Sequence, residues 1–151
     1  MIMKSLKYIC SVIVLGTFTT FISCKDDDSG STPTELELQL TALQNGGSDW
    51  VLGNNGVLKD GFDVTGQFAG FKLNIGTFTF TTENSLSGAW PESGTWEFQN
   101  GNPNQILRDD GVIMTIALSE EDLTVSFQGM GTTGGRTTSV DGEYVFHLMS
   151  E

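Results

Sequence analysis

Few side chains in this 151-residue sequence can do chemistry, and their spacing limits which chemistry that is. His147 is the single histidine. It alternates with Tyr144, Phe146 and Leu148, so on a strand it takes the opposite, solvent-facing side. A nucleophilic triad would set it beside a serine and a carboxylate, which no local spacing does here. The chain has no His-x-x-x-His, no paired-cysteine motif and no glycine-rich phosphate loop. The residues therefore point to no enzyme, no cofactor and no resident metal.

The acids come next. Asp109-Asp110-Gly111 and Glu120-Glu121-Asp122 offer the hard oxygens that calcium takes, but the alternating acids of an EF-hand loop are absent. Both clusters fall where hairpin turns call for Asp and Gly, and turn formation is the expected role. Paired carboxylates for glycoside hydrolysis must face each other at fixed separation, and nothing places two of these acids so.

Three tryptophans remain. Trp96 alternates with Phe98 and belongs to a core. Trp50 opens the first strand and is placed to close one end of the fold. Trp90 stands in Gly88-Ala89-Trp90-Pro91, a setting that suggests a rim, where an aromatic ring can stack on a sugar or line a pocket mouth. Trp90 and Trp50 are accordingly the candidate ligand contacts, although for Trp90 a ring folded back over the core is the stronger expectation.

The chain begins with Lys4 and Lys7 and then an uncharged apolar run from Tyr8 to Ile22, diluted by Gly16 and three threonines. A basic start followed by a short hydrophobic stretch is a secretory leader. A permanent span needs about 20 apolar residues. Phe21-Ile22-Ser23-Cys24 resembles a bacterial lipobox, which implies that Cys24 is acylated and becomes the first mature residue. Cys24-Lys25-Asp26-Asp27-Asp28 is similar to the surface-export signal of Bacteroidota lipoproteins. That resemblance implies an outer-membrane, lipid-anchored protein facing the cell exterior; a solvated linker on a periplasm-facing protein is the alternative. The implied organisation is a signal peptide over 1–23, a lipidated cysteine and flexible tether over 24–33, and one domain over 34–151.

Residues 24–151 are enough for one domain with a real core. Lys4 and Lys7 leave with the leader, so five basic residues face 19 acidic ones, a formal charge of −14. That balance repels phosphate backbones and excludes nucleic acid as a partner. With Cys10 lost and Cys24 lipidated, neither a disulfide nor a free thiol remains.

These residues need elements to position them. Thr34 with Glu37 forms a capping-box pattern, and Leu36, Leu40 and Leu43 recur at helical spacing before Gly46-Gly47. A short helix over Glu35 to Gln44 is expected, although Leu36, Leu38 and Leu40 also alternate as a strand would. From Trp50 the period becomes two. Trp50-Val51-Leu52 and Val57-Leu58 make a strand interrupted by Asn54-Asn55-Gly56, Asp60-Gly61 turns the chain, and Val64 to Ala69 has room for a helical turn. Phe71, Leu73 and Ile75 with Phe78 and Phe80 form a hairpin. Thr95 to Gln99, Ile106 to Arg108, Val112 to Leu118, and the runs through Leu123, Val125, Phe127 and through Tyr144, Phe146, Leu148 complete about eight strands, with a glycine-threonine loop over Gly129 to Gly135.

No long helix offers a parallel crossover, so the strands pair antiparallel. The fold class is all-β, an up-and-down meander curled into a barrel that hides its edges, with the short helix plugging one end. Two packed sheets are the alternative. Asp60-Gly61-Phe62-Asp63-Val64-Thr65, Phe71-Lys72-Leu73, Trp90 to Phe98, Arg108-Asp109-Asp110-Gly111 and Gly142 to Phe146 are together similar to the lipocalin-like domains of Bacteroidota lipoproteins. The resemblance implies a barrel, an outer-membrane address and an unspecified small ligand.

Three roles follow: a surface-anchored module binding a small apolar or sugar-like ligand at the barrel mouth, an accessory lipoprotein with a filled interior that binds an envelope protein partner, or an enzyme, the least supported. A barrel of about eight strands is just wide enough to be filled by side chains or to hold one small ligand. Interior volume separates the first two.

Overall fold

The computed structural model describes residues 32–129 and 140–151. The leader, Cys24, the tag Lys25 to Asp28 and most of the glycine-threonine loop lie outside the described residues.

Helix α1 (Glu35–Leu43) starts at a complete capping box. The Glu37 N–H donates to Thr34 Oγ1 at 3.3 Å, and the Thr34 N–H donates to Glu37 Oε2 at 2.7 Å. Two amides with no partner inside the helix are thereby satisfied. Hydrogen bonds donated by the Thr34 N–H and hydroxyl hold the Glu37 carboxyl below its ordinary pKa. Leu43 is fully buried, Leu36 and Leu40 are half-buried, and Leu38 faces solvent. Helical spacing, not alternation, decides which leucines go inside.

Nine strands follow: β1 (Trp50–Lys59), β2 (Phe62–Asp63), β3 (Lys72–Ile75), β4 (Thr79–Glu83), β5 (Ser93–Phe98), β6 (Gln105–Arg108), β7 (Ile113–Leu118), β8 (Asp122–Gly129) and β9 (Gly142–Ser150). Every pairing is antiparallel. β1 and β3 to β9 pair in chain order, and β9 returns to β1. The result is a closed eight-stranded barrel, with two-residue β2 folded back on β1 by the Asp60-Gly61 turn. Closure removes the free edges that two separate sheets would leave.

Alternation sorts the side chains. In β8, Leu123, Val125 and Phe127 face inward; in β9, Tyr144, Phe146 and Leu148 do the same. Their neighbours Thr124, Ser126, Val145 and His147 form the outer wall. At one end, α1 lies against the barrel, and the buried Trp50 Nε1–H donates to the Leu43 carbonyl at 2.8 Å. Trp50 closes that end against the helix, as its position in the sequence suggested.

Two sequence expectations change. Phe78 alternates with Phe80 in the sequence but sits in the β3–β4 turn with φ of 57°, half exposed and edge-on to Trp96 at 5.3 Å. The turn takes it out of the strand's two-residue repeat. The first strand is not broken at Asn54-Asn55-Gly56 either. β1 runs through, but its pairing with β9 passes from Leu52↔Leu148 to Val57↔Phe146, so Gly53 to Gly56 stand opposite His147 alone. The interruption is an outward excursion of a continuous strand.

Candidate functional site

The barrel interior is the first place to look for a ligand, and side chains fill it. The void among Leu43, Leu73, Trp90, Trp96, Met114 and their neighbours measures about 20 Å³. One water needs roughly 10–15 Å³ on this measure, whereas small-molecule sites run to about 300–1,000 Å³.

Trp90 is the main reason: it takes the core position rather than the rim, and its candidacy as a ligand contact at the mouth is corrected. It is 1% exposed, and its ring lies 5.1 Å from Phe146, 5.3 Å from Phe127 and 5.6 Å from Phe71, centre to centre. The segment between β4 and β5 carries the indole into the end of the barrel opposite α1. The Ala89 and Trp90 amides both donate to the Leu86 carbonyl at 2.8 Å and tighten that segment. The indole Nε1–H finds no acceptor. A buried orphan donor costs about 1–3 kcal/mol, comparable to what burying one large apolar side chain contributes. Burial among several aromatic rings holds Trp90 inside. Trp50, the other candidate contact, is equally buried, and its N–H is already used by Leu43.

Arg108 completes the closed end. Ile106 and Arg108 share the inward face of β6, so a guanidinium enters an apolar barrel and is only 3% exposed. It lies 5.6 Å from the Trp90 ring centre and 5.4 Å from that of Phe127. Its Nε donates to Asp110 Oδ1 at 3.1 Å, its Nη2 pairs with Asp110 Oδ2, and its Nη1 donates to the Ala89 carbonyl at 3.3 Å. Burial opposes ionisation of Asp110, but hydrogen bonds from Arg108 and the Val112 amide, with the charge of Arg108, together hold its pKa below the ordinary carboxylate value. In the sequence Arg108 reads as a strand residue and Asp110 as a turn acid. The available signal was a lone arginine in register with Ile106.

Asp109 and the backbone of Asp122 are held by hydrogen bonds of their own. Asp109 Oδ2 accepts from the Thr95 N–H of β5 at 3.0 Å, and in the β7–β8 turn the Ser119 hydroxyl donates to the Asp122 backbone carbonyl at 3.3 Å. Asp109 thus ties its turn to β5, whereas Asp110 combines turn formation, accepting the Val112 N–H at 3.1 Å, with the role of counter-ion to Arg108. Among the described residues no group of three His, Cys, Asp or Glu side chains gathers as metal ligands.

His147 is on the outer wall, where its alternation put it. Its Nδ1 lies 3.4 Å from Thr124 Oγ1. Above it the β1 excursion opens a cleft of about 310 Å³, lined by Gly53, Asn54, Asn55, Asp122, Thr124, His147, Leu148 and Met149. This outer cleft is roomy where the barrel interior is not. Sequence reading named His147 and the Asn54-Asn55-Gly56 interruption separately but had no means of joining them, because the register between β1 and β9 is set by closure of the barrel.

Among the described residues no helix is long and apolar enough to cross a membrane. Comparison of the chain with protein-family models, with curated proteins and with solved structures returns no match.

Proposed function

We propose that this chain is an outer-membrane lipoprotein, anchored through acylated Cys24 and displayed at the cell surface, whose filled barrel binds an envelope protein partner through its outer wall and catalyses no reaction. The observation that carries the choice is the interior void of about 20 Å³. A ligand at the mouth would need the space that Trp90 and the Arg108–Asp110 pair occupy. The lipobox-like Phe21 to Cys24 and the acidic tag after it support the anchor and the address. His147, whose polar neighbour is a threonine hydroxyl, supports no catalytic assignment.

Fractionation and cross-linking test this reading together. The intact chain is expected with outer membranes, and Cys24→Ala is expected in the soluble fraction, since one lipid group is the proposed attachment. Protease added to whole cells should digest the intact chain and spare it when Asp26, Asp27 and Asp28 are changed to Ala. Cross-linking on intact cells should trap a discrete heteromeric complex. A Cys24→Ala protein that still pellets with outer membranes overturns the anchor. Saturable uptake of an apolar fluorophore, with quenching of tryptophan emission, overturns the filled interior.

A further inference from the structure

We propose that the outer cleft under the β1 excursion is a binding site for a neutral carbohydrate unit. This goes beyond the protein-partner reading and does not depend on it. The cleft is built at a cost to the strand. Four residues, Gly53 to Gly56, stand opposite one, His147, so the ladder between β1 and β9 is interrupted. Glycines make both ends of the excursion possible. A Cβ at Gly53 would sit 3.3 Å from the His147 carbonyl oxygen, and one at Gly56, where φ is +56°, would sit 1.9 Å from Thr65 Oγ1. Between them Asn54 and Asn55 are held out, exposed, over the wall. Bulges of this kind recur beside functional sites because they re-aim side chains. Barrel closure needs none of it, since β1 and β9 pair normally on either side.

The lining selects the ligand. Its volume of about 310 Å³ reaches the small-molecule range. Five polar side chains converge on it: Asn54, Asn55, Asp122, Thr124 and His147. The two amides offer donors and acceptors side by side, Thr124 and His147 can do either, and Asp122 accepts. Half-exposed Met149 adds an aliphatic contact. No Lys or Arg lines the cleft, so an anion would meet only the Asp122 carboxylate. An apolar ligand would strip water from five polar side chains without replacing their hydrogen bonds, a cost it cannot recover. A cation would find one carboxylate. Adjacent hydroxyls on an uncharged ring match the set.

The surrounding wall agrees. The rows Thr115–Ser126–Val145 and Ala117–Thr124–His147 run across β7, β8 and β9 without a formal charge, in a chain with 19 acids. On this wall the acids stand at the margins. Asp122 opens β8 and lines the cleft, and Glu143 is near the start of β9. Asp49, Glu120, Glu121 and Glu151 lie beyond the strands at one end, and Asp60, Asp109 and Asp141 at the other. A neutral glycan can lie along that wall without crossing a charged band.

His147 makes the test direct, because the sole histidine of an untagged chain gives one imidazole signal. The full chain with Cys24→Ala is titrated with maltose, N-acetylglucosamine and N,N′-diacetylchitobiose while that signal is followed by NMR. Affinity electrophoresis through soluble starch or glycol chitin tests whether the sugar is recognised within a polymer. A saturable shift or a retardation is expected, weakened by about tenfold or more in Asn54→Ala/Asn55→Ala, the equivalent of one or two hydrogen bonds. Both asparagines are exposed, so the melting temperature of that variant should not change. The proposal is overturned by a signal that no sugar moves together with unretarded migration, by a response that survives the double variant, or by a signal that moves with zinc and with no sugar. Each of these leaves the anchor and the filled interior untouched.

Discussion

The guanidinium of Arg108 lies 5.6 Å from the centre of the Trp90 ring, and both are almost wholly buried. Cation and ring depend on each other. The indole face attracts the charge where water is excluded, and the bidentate contact with Asp110 satisfies the fork of N–H donors that the barrel would otherwise strand. This pair occupies the end of the barrel where a ligand would enter.

Trp90→Ala should therefore destabilise the fold as a core truncation does, by about 3–5 kcal/mol, and Trp96→Ala by a similar amount. Equal losses in a denaturant titration are the expected result. A Trp90→Ala loss within the range of surface substitutions would return the indole to the rim.

Asp110→Ala removes the counter-ion and leaves a guanidinium buried without a charged partner. Breaking a fully buried pair costs about 3–5 kcal/mol; solvent screening of the partly exposed Asp110 carboxylate lowers the expectation to about 2–4 kcal/mol. Arg108→Leu in the Asp110→Ala background should recover part of that loss, because no unpaired charge remains inside. Chemical denaturation of the two variants provides the comparison, and a double variant weaker than Asp110→Ala alone would contradict it.

The same pair sets an acid limit. The folded pKa of Asp110 is depressed, so its contribution is fully present above the unfolded carboxylate value, about 3.9, and is lost as pH falls through the lower folded value. Stability measured downward from pH 5 should fall in the intact chain, and Asp110→Asn, less stable at pH 5, should show a shallower fall and approach the intact chain as Asp110 protonates. Parallel profiles for the two proteins would assign the acid sensitivity to other carboxylates.

How much of this was legible in the sequence depends on the range of the interaction involved. The capping box of Thr34 and Glu37 and the alternation of Leu123, Val125 and Phe127 are local, and both lead to the elements seen. An all-antiparallel barrel follows once strands are short and crossover helices absent. Trp90 is different. It lies in no alternating strand, and its burial is decided by rings from β8, β9 and the segment before β3, which only closure brings together. Phe78 shows the converse, since alternation persists in the sequence through a turn whose positive φ ends it. Asn54 and His147 are 93 positions apart in the chain, and the cleft between them exists only because β1 and β9 pair.

The excursion in β1 carries the last prediction, which separates crowding from backbone strain. Gly56 adopts φ of +56°, and Thr65 Oγ1, which accepts the Val57 N–H at 2.9 Å, occupies the space a Cβ would need. Gly61 has φ of +80° with nothing within 4 Å of its Cβ position. Gly61→Ala should cost only the left-handed strain, about 1–2 kcal/mol. Gly56→Ala carries that strain and also drives a methyl group into Thr65, so its cost should exceed that of Gly61→Ala by about 1–3 kcal/mol, the range for overpacking. Thr65→Ala by itself loses one hydrogen bond, roughly 0.5–1.5 kcal/mol. If the clash is real, Gly56→Ala in the Thr65→Ala background should be less destabilising than the two single losses added, because the obstacle is already gone. Additive losses in thermal or chemical unfolding would mean that Gly56 is required for its backbone angle alone.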